Sequence, residues 1–118
     1  MHISEAQRKV DDWIKKMGVR YFNELTNTVL LMEEVGELSR VIARKYGEQS
    51  FKDGEENLSL GEEISDVFFV LLCIANQTHI DLTESFKQTL LKKTKRDAIR
   101  HKNNPKLIKG YKAIDCRL

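Results

Sequence analysis

The chain has 118 residues, enough for one domain and too few for two ordinary ones. Hydrophobic residues make up 41% and charged residues 32%, with a net charge of +2, which excludes a disordered or fibrous chain. The longest strictly apolar run, Val67 to Ala75, is nine residues, against the ~20 that a membrane-spanning helix needs.

The first helix is expected from about Ser4 to Met17, with Ser4 and Gln7 as a capping box and Gly18 as its stop. Val10, Trp13, Ile14 and Met17 fall on one of its faces. The second runs from about Thr28 to Tyr46 and stops at Gly47. A polar connection over residues 47–58 follows. The third runs from Ser59, with Glu62 completing a capping box, to about Thr78. The fourth runs from Asp81 to about Lys102, where Asn103-Asn104-Pro105 breaks it. No segment alternates like a strand, so the expected architecture is an all-α, four-helix-type bundle over residues 1–104 with a basic tail over 105–118.

Charge is unevenly placed. Residues 1–91 carry a net −6 and residues 92–118 a net +8. The basic end reads as a solvated terminus, a nucleic-acid contact or a phosphate-binding arm. No basic patch followed by an apolar stretch opens the chain, and Cys73 and Cys116 form no C-x-x-C pair. A reduced, cytoplasmic protein is expected.

The acids of two helices stand where apolar residues belong. At 100° per residue, Glu34 falls inside the apolar arc of Leu30, Leu38, Val41 and Val35, and Glu37 lies at its edge. Glu33 sits further round, towards the polar side. The third helix is apolar nearly all round from Ile64 to Ile74, yet Asp66 lies among Val70, Cys73 and Ile74, and Glu63 is one turn earlier. Such carboxylates are costly unless paired or bound to a metal. The plain alternative is that they are solvated or paired with Lys45 and Arg40. All-oxygen ligation favours Mg²⁺, or Mn²⁺ as a substitute, over Zn²⁺. A di-iron bundle needs Glu-x-x-His, but Asn76 and Ala98 stand three before His79 and His101.

If the third and fourth helices form an antiparallel hairpin about residue 80, Asp66 faces about residue 94 and Glu63 about residue 97. The apolar stripe Leu82, Phe86, Leu90 continues there into Lys93, Asp97 and Arg100. A metal cluster flanked by Lys93 and Arg96 suits a polyphosphate. Asn76 is a candidate for sugar or base contact, or a satisfied buried amide. Trp13 is a candidate for base stacking, or core.

Glu33-Glu34-Val35-Gly36-Glu37-Leu38 followed by Glu62-Glu63-Ile64-Ser65-Asp66-Val67 resembles the E-E-x-x-E … E-x-x-D signature of MazG-like nucleotide pyrophosphohydrolases. The similarity extends through residues 28–100, and Lys45-Tyr46-Gly47-Glu48 and Arg96-Asp97 resemble the single-domain, YpjD-like branch. The resemblance implies an all-α, Mg²⁺-dependent enzyme that releases a nucleoside monophosphate and pyrophosphate. It implies Glu34, Glu37, Glu63 and Asp66 as metal ligands and at least a dimer, with the active site near the subunit interface. Many members carry Lys-x-x-x-Asn and then Arg-Tyr-Pro on the last helix. This chain keeps Lys93 but has Asp97 and then Arg100-His101-Lys102.

The mechanism expected is attack on the α-phosphorus by a metal-activated water, with Glu33 orienting or deprotonating it and Lys93 and Arg96 meeting the leaving phosphates. Asp97 belongs with them on the substrate side. The all-round apolar third helix independently predicts a homodimer or homotetramer. The other reading is a non-enzymatic helical module that binds nucleotide or nucleic acid through its basic C-terminus. The acids inside the apolar faces disfavour it, because such binding does not need them.

Overall fold

The computed structural model describes residues 1–108; residues 109–118, with Cys116 and most of the expected tail, lie outside the described residues. The chain forms two compact units, Met1–Leu82 and the segment from Thr83 onward. Among the described residues there is no strand, as the sequence leads one to expect.

Helix α1 (Ile3–Trp13) is capped at His2, two residues before the expected cap. The Glu5 carboxylate accepts from the His2 backbone N–H at 3.3 Å, which places Ser4 inside the first turn. Gln7 is unavailable for capping. Its Nε2 donates to Ile80 O at 2.8 Å and Asn76 Oδ1 at 3.1 Å, and its Oε1 accepts from Leu82 N at 3.0 Å. One amide thus ties α1 to the segment after the third helix.

The helix loosens into a π turn over Ile14–Gly18. The chain then reverses at Val19 rather than at the glycine. Val19 has φ 71° and ψ −52°, and Arg20 N–H closes on Gly18 O at 2.8 Å. This is a γ-turn of the rare kind, strained for a β-branched residue.

Helix α2 (Glu24–Lys45) begins four residues earlier than expected. Its cap is Asn23, whose side chain accepts from Thr26 N at 2.8 Å. Thr28, the expected start, lies inside and turns its hydroxyl back onto Glu24 O at 2.7 Å. The stop at Gly47 holds for a steric reason: a Cβ there would lie 2.5 Å from Ala43 O.

Helix α3 (Leu60–Gln77) starts as expected, with Ser59 Oγ accepting from Glu62 N at 3.2 Å. It ends with His79 at φ 59°, while Ile80 N bonds Ala75 O and His79 N bonds Asn76 O. That is a Schellman close with histidine in the place usually taken by glycine.

Within Met1–Leu82, α3 packs against both α1 and α2. Ala6 and Val10 of α1 meet Leu72 and Cys73 of α3, with Ile14, Tyr21 and Leu82 packed around them. Val41 is 1% exposed and anchors α2. Among the described residues of α3, Ile64, Phe68 and Leu71 are all more than 40% exposed.

The second unit is built on α4 (Leu82–Lys102) and the short turn α5 (Pro105–Ile108). Asn104 Oδ1 accepts from Lys106 N at 3.0 Å, so Pro105 begins a new helix after breaking the old one. Among the described residues no helix is long and apolar enough to cross a membrane.

The Asn23 cap fixes where α2 begins, and with it the phase of every acid on that helix. Asn23→Ala should lower the unfolding free energy by about 1 kcal/mol, and Asn23→Gly by only a few tenths. Chemical denaturation of the two variants side by side checks this.

Candidate active site

Helices α2 and α3 bring three carboxylates together. One oxygen each from Glu34, Glu63 and Asp66 lies within 4.8 Å of the others. Glu34 and Glu63 are half-buried and Asp66 is exposed. Glu34 is on the helix because its neighbours Leu30, Leu38 and Val41 turn that face towards α3. Glu63 and Asp66 project from the first two turns of α3, just after the Ser59 cap.

The electrostatics are unfavourable as they stand. Burial first, then the Asp66, Glu37 and Glu33 charges, push the Glu34 carboxyl above its ordinary pKa. Burial first, then Asp66, Glu37 and Glu34, does the same to Glu63. Among the described residues no lysine or arginine pairs with Glu34, Glu63 or Asp66. Oxygens gathered without a counter-charge fit a hard divalent cation.

Glu37 is near enough to raise both neighbours, but it is not part of the converging group. Its Oε2 stands 4.0 Å from Arg40 Nη1, and its side chain is 56% exposed. Glu33 is exposed beside Glu34. Lys45, the other expected partner of the acids, makes no ion pair among the described residues.

A cavity of about 340 Å³ is lined by residues one helical turn from the acids, though by none of the acids themselves. Its walls include Trp13, Tyr21, Asn27, Leu30, Phe69 and Val70. Leu30 is one turn before Glu34 and Val70 one turn after Asp66, so the cavity opens ~6 Å along both helices from the carboxylates. Trp13 meets Phe69 edge-on, with centroids 5.7 Å apart and planes at 88°. It is half-exposed, serving both as cavity wall and as packing.

Asn76 is committed elsewhere. Its Nδ2 donates to Gln7 O at 2.8 Å and to Tyr21 Oη at 3.1 Å, while its Oδ1 takes Gln7 Nε2. It braces α1 against α3, which agrees with the satisfied amide of the two readings its sequence position offers. The brace runs on: the Tyr21 hydroxyl donates to Asp11 Oδ1 at 2.6 Å, and Lys15 holds the other Asp11 oxygen at 2.6 Å. Burial, then the Asp11 hydrogen bond, pushes the Tyr21 phenol up to about 12.

On α4, Asp97 is only 15% exposed and is held between Arg96 at 2.9 Å and Arg100 at 3.3 Å. The Arg96 hydrogen bond holds the Asp97 carboxyl below the usual range. Asp97 is therefore a clamp for its basic neighbours, and part of the Arg96 charge is already answered. Lys93 is exposed and lines a groove of about 300 Å³ with Thr94, Asp97, Ala98 and His101.

Two residues, Asn27 and Glu55, carry no signal in the sequence. Asn27 is buried and donates its amide to Gln77 Oε1 at 2.7 Å. It lies seven residues before Glu34, on the same face, but the expected helix started one residue too late to include it. Arg40 and Glu55 form an ion pair that no spacing rule reveals, since Glu55 lies in the connection between α2 and α3.

Residues 22–102 match the MazG nucleotide pyrophosphohydrolase domain. The chain belongs to the MazG nucleotide pyrophosphohydrolase family. A Bacillus subtilis (strain 168) relative, the uncharacterized protein YpjD, is 39% identical over 95 residues, covering 80% of this chain and 86% of that one. The crystal structure of Bacillus subtilis YpjD superposes with a TM-score of 0.73 at 36% identity, covering 82% of this chain and 97% of the other. A second crystal structure, of a Bacillus-conserved MazG protein described as a nucleotide pyrophosphohydrolase, gives 0.66 at 33% identity, covering 78% and 88%. The chain is thus a hydrolase of a metal-dependent MazG family, which sets aside the non-enzymatic module.

The raised carboxyls carry a signed consequence. The folded MazG chain without a cation binds more protons than the unfolded chain, from the ordinary glutamate range up to the raised values. Its stability therefore falls as pH rises through that window. Mg²⁺ should raise the Tm by mass action at neutral pH, and the increment should shrink as pH falls towards the ordinary range. Glu63→Gln should remove most of the increment and raise the Tm of the cation-free protein. Thermal melts with and without Mg²⁺ decide it; an unchanged increment would take Glu63 off the ligand list.

Proposed function

We propose that this chain hydrolyses nucleoside triphosphates between the α- and β-phosphates, giving a nucleoside monophosphate and pyrophosphate. The observation that carries the reading is the convergence of Glu34, Glu63 and Asp66, with no cationic side chain paired to them among the described residues. Those three residues would hold Mg²⁺, with Glu37 as the fourth ligand and Mn²⁺ as a substitute. When bound, the cation would offset phosphate charge and acidify the attacking water.

Everything else falls to the chain. Glu33, on the exposed side of Glu34, orients the water and takes its proton. The water attacks the α-phosphorus, the bond from that phosphorus to the bridging oxygen breaks, and pyrophosphate departs. Lys93 and Arg96 supply positive charge to it. Asp97 restrains Arg96, so Lys93 is the freer of the two. The cavity one turn from the acids suits a nucleobase, with Trp13 as its aromatic wall.

Apolar surface on α3 favours assembly. Ile64, Phe68 and Leu71 lie on the helix that carries Glu63 and Asp66, so a second copy covering them would sit beside the site. A homodimer or homotetramer follows. A free, buried Cys73 fits a reducing, cytoplasmic setting.

A nucleotide panel with Mg²⁺, with products separated, tests the reaction: pyrophosphate supports it and orthophosphate alone defeats it. Lys93→Ala should lower kcat/KM by roughly 10²-fold while leaving the Mg²⁺ stabilisation of the free protein intact. Activity within a factor of about two of the unsubstituted enzyme would remove Lys93 from the site. Light scattering should give a multiple of the 13.7 kDa chain mass; active protein at that mass would refute assembly.

A further inference from the structure

The fourth acid of the proposed site, Glu37, stands outside the converging group and beside an arginine. Glu37 lies one turn from Glu34, close enough to raise the pKa of both Glu34 and Glu63. Its Oε2 is instead 4.0 Å from Arg40 Nη1. The same guanidinium is ion-paired through Nη2 with Glu55 Oε1. One positive charge is thus shared by two carboxylates, one at the rim of the acid cluster and one from the α2–α3 connection.

Glu55 is not a casual partner. Its side chain is 23% exposed, and Arg40 holds its carboxyl below the usual range. Arg40 is the largest influence on this carboxylate, and the Lys52 backbone and charge add to it. Its backbone is fixed as well: Glu55 N bonds Lys52 O at 3.1 Å, and Leu58 N bonds Glu55 O at 3.2 Å, directly before the Ser59 cap of α3. The Arg40 carbonyl in turn receives Arg44 Nη1 at 3.2 Å.

The geometry points to Arg40 as a positioning residue that holds Glu37 in reserve, with Glu55 competing for the same guanidinium and so setting how readily Glu37 is released. This inference rests on the reading of the acids as a divalent-cation site. A cation drawing in Glu37 must break its attraction to Arg40, and Arg40 then belongs to Glu55 alone. The two partners of one ion pair therefore act on cation affinity with opposite signs. Removing the Arg40 charge frees Glu37 and tightens binding. Removing the Glu55 charge gives Arg40 wholly to Glu37 and weakens binding. If the pair served only to hold the connection in place, breaking it from either side would loosen the same structure and move affinity the same way.

Mn²⁺ titration of the full chain, followed by the electron paramagnetic resonance signal of the free ion, tests this without any turnover. Arg40→Gln should lower the Kd by about threefold to fivefold, and Glu55→Gln should raise it by a similar factor, the scale of a partly exposed ion pair. Both effects should collapse to near unity when Glu37→Gln is also present, because they act through Glu37. Arg40→Lys keeps the charge without the planar fork and should fall between the unsubstituted chain and Arg40→Gln. Shifts in the same direction for Arg40→Gln and Glu55→Gln would overturn the inference, as would shifts that persist undiminished with Glu37→Gln, which a general field would give. Should Arg40→Gln not fold, Glu55→Gln with and without Glu37→Gln carries the same test. Absence of Mn²⁺ binding by the unsubstituted chain would instead defeat the cation-site reading itself, and this inference with it.

Discussion

Like charges held together by apolar packing are the constraint on which this molecule turns. Val41 of α2 and Val70 of α3 are buried on helices that pack together, and Leu72 and Cys73 seat α3 on α1, burial being favourable on the scale of 1.5–3 kcal/mol per large side chain. The same packing brings Glu34, Glu63 and Asp66 within 4.8 Å of one another. The backbone positions of the acids are set by the helix pair. Their mutual repulsion is unanswered by any lysine or arginine among the described residues, and under the proposed function a divalent cation would relieve it. The raised carboxyls of Glu34 and Glu63 are the electrostatic trace of their burial and of that repulsion.

The sequence showed this site because the conflict is written in a period. An acid inside a 3.6-residue apolar stripe is visible without coordinates, and two such pairs specify which helices must pack. The Ser59–Glu62 cap and the Gly47 stop were legible for the same reason: each is local chemistry within four residues. The start of α2 was missed because Asn23 caps a turn whose first residues are polar or exposed, so no stripe announces it. The α1 cap was misplaced because Gln7, read as a local partner of Ser4, spends its amide on Ile80 and Leu82, over seventy residues away. Asn76 was read as a possible ligand for a related reason. Its partners, Gln7 and Tyr21, come from a different part of the chain. Polar side chains that close long-range networks look, in one dimension, like free functional groups.

The uneven distribution of charge makes sense in these terms. An acidic cluster that awaits a cation cannot also be neutralised by fixed lysines, or the cation would have no work to do. The chain keeps its surplus positive charge on α4 and beyond, where Asp97 restrains Arg96 and Arg100 while Lys93 has no ion pair among the described residues. On α2 the one arginine near the acids is divided between Glu37 and Glu55, so that it neutralises neither fully.

The α2–α3 connection then has more to do than join two helices. Glu55 reaches back to α2 four residues before the Ser59 cap, and Glu63 follows that cap by four more. The position of Glu63 is consequently set from two directions: by the packing of α3 on α2, and by a connection tethered to the helix that carries Glu34 and Glu37. A site built from both sides of such a tether holds its ligands in register before any cation arrives. Arg40, at the tether's root, stands against both the acid rim and the connection. Its charge cannot change without altering both, which is why the affinity of the site and the anchoring of the connection are one electrostatic problem rather than two.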